Sequence, residues 1–152
     1  MINVVEKELA ISLKSTYDGY WKNDIKHEIA QIEDSKRLGY VKTMMNVGNN
    51  KTEYLNLNII NEKEREKELI FQVDLKVKDF AKVFNKEVFI NLNLNPLQID
   101  NIKILPERKL PLWFKYPFKE INNYTLNIPT DYEISYLPSD ISFEKLGFYY
   151  KI

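Results

Sequence analysis

The side chains that usually perform catalysis are scarce in this chain of 152 residues. There is one histidine, His27, and there is no cysteine. Without cysteine, thiolate catalysis, disulfide bonds and cysteine-ligated zinc are excluded. A hydroxyl nucleophile would need His27 as its base, but His27 lies between Lys26 and Glu28 on the polar side of a predicted helix. We therefore expect no catalytic residue and no enzymatic activity.

Metal, phosphate and sugar-cleaving sites are not indicated either. Asp18 and Asp24 are possible calcium ligands, but no Asp-x-Asp-x-Asp-Gly loop surrounds them. The four glycines do not form a phosphate-binding loop. Paired carboxylates for glycoside hydrolysis stay open, because strands bring distant residues together, although no pair stands out. We predict no metal site and no cofactor.

The residues with binding potential are aromatic and lie near the C-terminus. Trp113, Tyr116 and Tyr149 fall on predicted strands, where alternation places some side chains on the outward face. Exposed aromatic rings can stack on sugars or anchor a protein partner. The competing interpretation is that a β-sandwich or a neighbouring domain buries them. These three residues form the predicted binding surface.

The elements that must position these side chains are mostly strands. A period of two, in which apolar and polar residues alternate, indicates a strand with one buried face. This pattern predicts strands at 4–13, 55–59, 69–77, 88–94, 112–118, 124–128, 132–136 and 148–152. We interpret the charged link at 61–68 as a solvated hairpin connection, with an interaction tail as the alternative.

One segment has a different period. Trp21, Ile25, Ile29 and Ile32 follow the spacing of an amphipathic helix. We expect helix from about 20 to 45, interrupted near Asp34. The second half of this segment is predicted to bury Leu38, Val41 and Met45.

Together these patterns predict a mainly β fold, an antiparallel β-sandwich with the helical segment at 20–45 packed against it. We expect residues 1–152 to form a single domain. Prolines mark the strand ends, because proline lacks the N–H that a ladder requires. On this basis Pro111, Pro129 and Pro138 are structural. Gly147 is expected in a turn or bulge, and Arg108 is expected to hold a loop through backbone carbonyls.

Charge and hydropathy exclude two classes of partner. Lys plus Arg and Asp plus Glu both number 22, so the formal net charge is zero. A neutral domain lacks the basic surface that nucleic-acid binding requires. No apolar run approaches the ~20 residues of a membrane helix, so we expect no membrane insertion. Met1 is not followed by a secretory signal of the usual form.

The order of short motifs in the last third resembles the C-terminal β-domain that follows the catalytic core in bacterial transglutaminase-like proteins. The resemblance rests on Leu105–Pro111, on Ile128–Ile134, on Tyr136–Leu137–Pro138 and on Gly147–Tyr150, in that order. Upstream, Asp18–Gly19–Tyr20 before a helix is similar to the opening of the same family. The family often has an arginine shortly after this tyrosine, where this chain has Lys22–Lys26.

The resemblance implies a non-catalytic domain of unknown function within a longer chain, located in the periplasm, on the cell surface or outside the cell. Such a domain would brace an upstream transglutaminase-like domain or bind another protein. An alternative is a carbohydrate-binding module that uses the exposed aromatics. A third hypothesis is a cytoplasmic interaction domain that is complete from Met1.

Overall fold

The computed structural model describes residues 2–3, 8–94, 109, 119, 121–145 and 148–151. The elements of these residues are eight strands and two helices in the order β1 Ile2–Asn3, β2 Glu8–Tyr17, α1 Gly19–Ala30, α2 Asp34–Met45, β3 Thr52–Ile60, β4 Leu69–Val77, β5 Lys82–Phe84, β6 Glu87–Phe89, β7 Ser142–Lys145 and β8 Phe148–Lys151. The predicted class, mainly β with antiparallel pairing and a helical segment, is confirmed.

The main sheet has four strands in the order β1-β2-β4-β3. The central strand, β4, pairs antiparallel with β2 from Leu9↔Val77 to Tyr17↔Leu69. On its other side β4 pairs antiparallel with β3, where the register shifts between Tyr54 and Asn56. β4 matches the strand predicted at 69–77, with one apolar face and one polar face. β2 continues to Tyr17, beyond the predicted end at residue 13. In β3, Leu55 was predicted on the apolar face, but it lies at the register shift and is 54% exposed.

The two helices cover the apolar face of this sheet. In α1 the buried residues are Lys22, Ile25 and Ile29, and in α2 they are Val41 and Met45. The interruption predicted near Asp34 is confirmed, since α2 begins at that residue. Trp21 was expected in the buried stripe, but it is 47% exposed. The expectation was wrong by one position, because Lys22 takes the inward position of that turn.

One hydrophobic core unites the sheet and the helices. Alternate residues of β4 are buried almost completely, and they contact apolar residues of both helices and of β2. Its fully buried side chains are Phe71, Ile29, Leu69, Leu75, Val41 and Val77. Tyr17 meets Phe71 edge-on, with the ring centroids 5.7 Å apart, a favoured aromatic geometry. Burial of this apolar surface is the main driving force for the fold.

The charged connection between β3 and β4 is a hairpin link, as expected, but it is also fastened to the helices. The Lys26 ammonium of α1 donates to the backbone carbonyls of Glu64, at 2.6 Å, and Lys67, at 3.2 Å. Arg37 of α2 donates to the Glu62 carboxylate at 2.9 Å. These hydrogen bonds hold residues 61–68 against both helices.

Beyond β4 the regular structure is limited to two small hairpins among the described residues. β5 pairs with β6 and β7 pairs with β8, both antiparallel. The strand predicted at 88–94 is wrong past Phe89, because Ile90–Leu94 form no ladder. Leu94 is nevertheless 7% exposed and belongs to the core, and its carbonyl accepts the Gly48 N–H at 2.8 Å.

The strands predicted at 124–128 and 132–136 are also wrong, since these residues are not in a ladder. A turn joins the two segments, because the Tyr132 N–H donates to the Pro129 carbonyl at 3.0 Å. Alternation alone cannot distinguish a strand from an extended segment without a neighbour, since a strand also requires a partner for its backbone. The strand predicted at 112–118 lies outside the described residues, and the sandwich arrangement stays a prediction.

Candidate functional site

His27 lies on the exposed side of α1, as the sequence indicated. Its ring Nε2 is 2.8 Å from the Gln31 side-chain nitrogen, one helical turn away. This hydrogen bond spans four residues of a single helix, and it does not orient the ring toward a carboxylate or a hydroxyl. A catalytic base needs both a nucleophile and an orienting group within reach. Among the described residues, the hydrogen-bond partner of the His27 ring is Gln31.

Asp18, considered above as a calcium ligand, is engaged in an ion pair. Its carboxylate lies 3.1 Å from the Lys22 ammonium, whose side chain is only 10% exposed. The pKa of Asp18 is lowered, first by a hydrogen bond from the Gly19 backbone and then by Lys22. Asp18 therefore neutralises a nearly buried lysine in the first turn of α1. Within the described ranges, no three His, Asp or Glu side chains converge as metal ligands would.

The aromatic residues predicted to form a binding surface are only partly within the described residues. Tyr149, on β8, is 67% exposed, as alternation suggested. Trp113 and Tyr116 lie outside the described residues, as do Arg108, Pro111 and Gly147. Pro129 and Pro138 are described and lie outside any strand. Whether Trp113, Tyr116 and Tyr149 share a surface stays a prediction.

A larger set of exposed apolar side chains lies near the C-terminus, in the same part of the chain as Tyr149. We call residues 121–145 together with 148–151 the C-terminal segment. Its exposed large apolar residues are Ile121, Tyr124, Ile128, Tyr132, Ile134, Tyr136, Leu137, Ile141, Phe143 and Tyr149. Tyr136 is the most exposed of them, at 78%. Alternation in the sequence did not indicate this set, because it predicted strands in which half of these side chains would be buried.

The second candidate surface is the polar face of the main sheet, opposite the helices. The register places Ser12, Asp74 and Asn56 in one row across β2, β4 and β3. Asp74 accepts hydrogen bonds from the Ser12 hydroxyl at 3.0 Å and from the Asn56 amide at 3.1 Å. These two donors lower the pKa of the Asp74 carboxyl. We call this set the carboxylate row.

A second row lies two residues further along each strand. It contains Lys14, Gln72 and Asn58, and we call it the amide row. The Asn58 amide donates to the Gln72 side-chain oxygen at 3.0 Å. Both rows line one depression of about 350 Å³. The sequence showed the polar alternation of each strand, but it did not show which residues of different strands would lie side by side.

Comparison with known proteins gives one family match. Residues 81–152 match the model of DUF3858, described as a domain of unknown function with a solved structure. The match begins after the last long strand of the main sheet, and it includes β5 to β8. It covers just under half of the chain. No curated protein and no solved structure matches the chain.

The expectation of a domain of unknown function is therefore confirmed for residues 81–152. The family description does not mention transglutaminase-like proteins, so that part of the resemblance stays a prediction. Among the described residues, neither helix has the length and apolar composition to cross a bilayer.

Proposed function

We propose that this chain is a non-catalytic accessory domain that binds a protein partner through the C-terminal segment. The observation that carries the proposal is the exposure of the segment's apolar side chains. Soluble monomers rarely expose large apolar areas, and such areas commonly mark interaction sites. Tyrosine is also enriched among the residues that dominate binding energy. Tyr124, Tyr132, Tyr136 and Tyr149 supply such anchors.

Charge indicates what kind of partner fits this segment. The C-terminal segment contains four carboxylates, from Asp131, Glu133, Asp140 and Glu144, and two lysines, Lys145 and Lys151, so it carries a net negative charge. A partner surface that combines apolar pockets with basic side chains would complement them, and complementary charge speeds association and fixes orientation. The same charges disfavour nucleic acid and anionic lipid as partners.

We place this domain in an exported bacterial transglutaminase-like protein, where it would brace the catalytic domain of the same chain. The order of the C-terminal motifs supports this placement. The chain lacks the cysteine that transglutaminase-like catalysis requires, so the nucleophile would belong to the neighbouring domain. On this proposal the accessory domain contributes contact area and no reacting group.

The direct test is titration of the chain with a purified transglutaminase-like domain from the same reading frame or from an adjacent one. We expect binding that the double change Tyr136→Ala and Leu137→Ala weakens. Phe84→Ala is the matched control, because Phe84 is 67% exposed but lies on β5. Binding that is unaffected by the double change, or equally affected by the control, would contradict the proposed surface.

The non-catalytic part of the proposal has its own test. The purified chain should release no ammonia from a glutamine-containing peptide in the presence of an amine. It should also release no product from peptide substrates. Turnover that is lost in His27→Ala would contradict this part and would leave the binding surface to be judged separately.

A further inference from the structure

We propose that the polar face of the main sheet is a binding site for an acidic glycan, one that carries hexuronate units. The site consists of the carboxylate row and the amide row, which line the same depression. It lies on strands outside the family match at 81–152. The inference is independent of the partner surface proposed for the C-terminal segment.

The carboxylate row is suited to hydroxyl groups. Asp74 is held in place by Ser12 and Asn56, so its carboxylate orientation is fixed before a ligand arrives. A carboxylate has about four lone-pair sites, and these two bonds use half of them. Asn56 uses one amide hydrogen on Asp74, and an amide also carries a second hydrogen and an oxygen acceptor. A sugar hydroxyl both donates and accepts, so adjacent hydroxyls match this arrangement.

The amide row is suited to an anionic group. Lys14 is exposed, and its ammonium is not engaged in a salt bridge with any described residue. Beside it, the Gln72 oxygen is occupied by Asn58, so the Gln72 amide directs two N–H donors elsewhere. A cationic donor next to neutral amide donors complements a carboxylate, since charge-assisted hydrogen bonds are about twice as strong as neutral ones.

The spacing of the rows fits a single sugar unit. The two rows are two residues apart along each strand, which corresponds to about 6.8 Å. A hexuronate carries its carboxylate and its vicinal hydroxyls on opposite sides of one ring, and a ring of this size bridges such a distance. The hydroxyls would therefore meet Asp74 and Asn56 while the carboxylate meets Lys14. A neutral oligosaccharide would leave Lys14 without a partner.

The experiment is a calorimetric titration of the full chain with trigalacturonate at low ionic strength, with maltotriose as the neutral comparison. We expect binding of trigalacturonate that weakens as salt is added, and no comparable binding of maltotriose. Lys14→Gln and Asn56→Ala should each reduce the affinity about tenfold, since each removes a direct contact. Lys14 is exposed, so Lys14→Gln keeps the proposal testable even if Asn56→Ala unfolds.

The matched controls are Lys42→Gln and Asn23→Ala, which remove the same groups from exposed positions on the helices. Both controls should bind trigalacturonate like the unmodified chain. Absence of binding, equal binding of maltotriose, or equal loss in the controls would overturn the proposal. The Tyr136→Ala and Leu137→Ala variant should retain sugar binding, so failure of this site and failure of the partner surface can be told apart.

Discussion

At the scale of single residues, two glycines, Gly48 and Gly39, differ in whether the structure has room for a side chain. Gly48 has a φ of 84°, and a Cβ added there would lie 2.5 Å from the Thr52 hydroxyl and 3.1 Å from a Val77 methyl group. Gly39 lies within α2, and a Cβ added there would meet nothing within 4 Å. Glycine is required at position 48, because the backbone conformation and the close contacts exclude a side chain. At position 39 glycine has no such role, and it lowers the stability of the helix relative to alanine.

We therefore predict that Gly48→Ala lowers the free energy of unfolding by roughly 1–3 kcal/mol, because it combines a strained φ with a steric clash. Gly39→Ala should raise this free energy by about 0.5–1 kcal/mol, because alanine favours the helix. Urea denaturation of both variants measures the two changes. Equal effects of the two substitutions would contradict the geometry at Gly48.

Tyr40 predicts how stability depends on alkaline pH. Its hydroxyl donates to the Glu28 carboxylate at 2.7 Å. Partial burial is the largest cause that raises the pKa of Tyr40 above the ordinary 10.0, and the hydrogen bond to Glu28 is the next. Above pH 10 the unfolded chain loses the phenolic proton while the folded chain retains it. The stabilisation is therefore complete below the unfolded pKa, and it is lost as the pH rises toward the folded pKa.

Tyr40→Phe should accordingly lower the free energy of unfolding by about 1 kcal/mol at pH 7 by removing one hydrogen bond. It should also flatten the decline of melting temperature above pH 10. Thermal melts of both proteins between pH 8 and pH 11 test this expectation. If the melting temperatures of the two proteins decline in parallel over that pH range, Tyr40 does not titrate as described.

At the scale of elements, the link between β3 and β4 shows how a charged sequence can be ordered. The carbonyls of Glu64 and Lys67 converge on the Lys26 ammonium, and burial lowers the pKa of Lys26. A single ammonium thereby satisfies two loop carbonyls. Arg37 adds a second attachment through Glu62, and these two side chains are 22% and 20% exposed.

We predict that Lys26→Met increases amide hydrogen exchange within residues 61–68, with little change in exchange within β4. Local opening should rise because the lost bonds fasten the link and not the core. Lys36→Met is the control, since Lys36 forms an exposed pair with Glu33 of its own turn. An increase that spreads evenly over the sheet would show that the link is part of the cooperative core.

The elements also show how far the sequence could be interpreted. The break at Asp34 was predictable because the helical pattern restarts there, and β4 was predictable because its alternation is uninterrupted. The rows on the polar face were not predictable, since they depend on the register of β2 and β3 against β4. The shift between Tyr54 and Asn56 changes that register, and no residue type in β3 signals it.

At the scale of the whole molecule, the core that the structure describes is concentrated in residues 9–94. Every buried core residue among the described residues belongs to this range, and Leu126 is the described residue beyond it that packs against the core. We predict that a fragment ending at Leu94 unfolds cooperatively and keeps the circular dichroism of the helices and main sheet. A fragment without a cooperative melt would show that the C-terminal segment is needed for folding.

The C-terminal segment limits what the sequence could predict at this scale. The alternation from Tyr124 to Ile128 and from Tyr132 to Tyr136 was real, but alternation describes side chains and does not supply a neighbouring strand. Among the described residues, aromatic side chains of these two segments are exposed, including Tyr132 at 40% and Tyr136 at 78%. The strands predicted here were wrong, and the exposure of these side chains is the observation that supports the proposed function.

Contact between the C-terminal segment and a basic protein partner, as proposed above, can be tested by hydroxyl-radical footprinting. Labelling of Tyr124, Tyr132, Tyr136 and Tyr149 would be measured in the free chain and in its complex with the transglutaminase-like domain. We expect strong labelling of these tyrosines in the free chain and clear protection in the complex, while Phe84 is labelled equally in both. Complex formation without protection of these tyrosines would contradict the proposed contact.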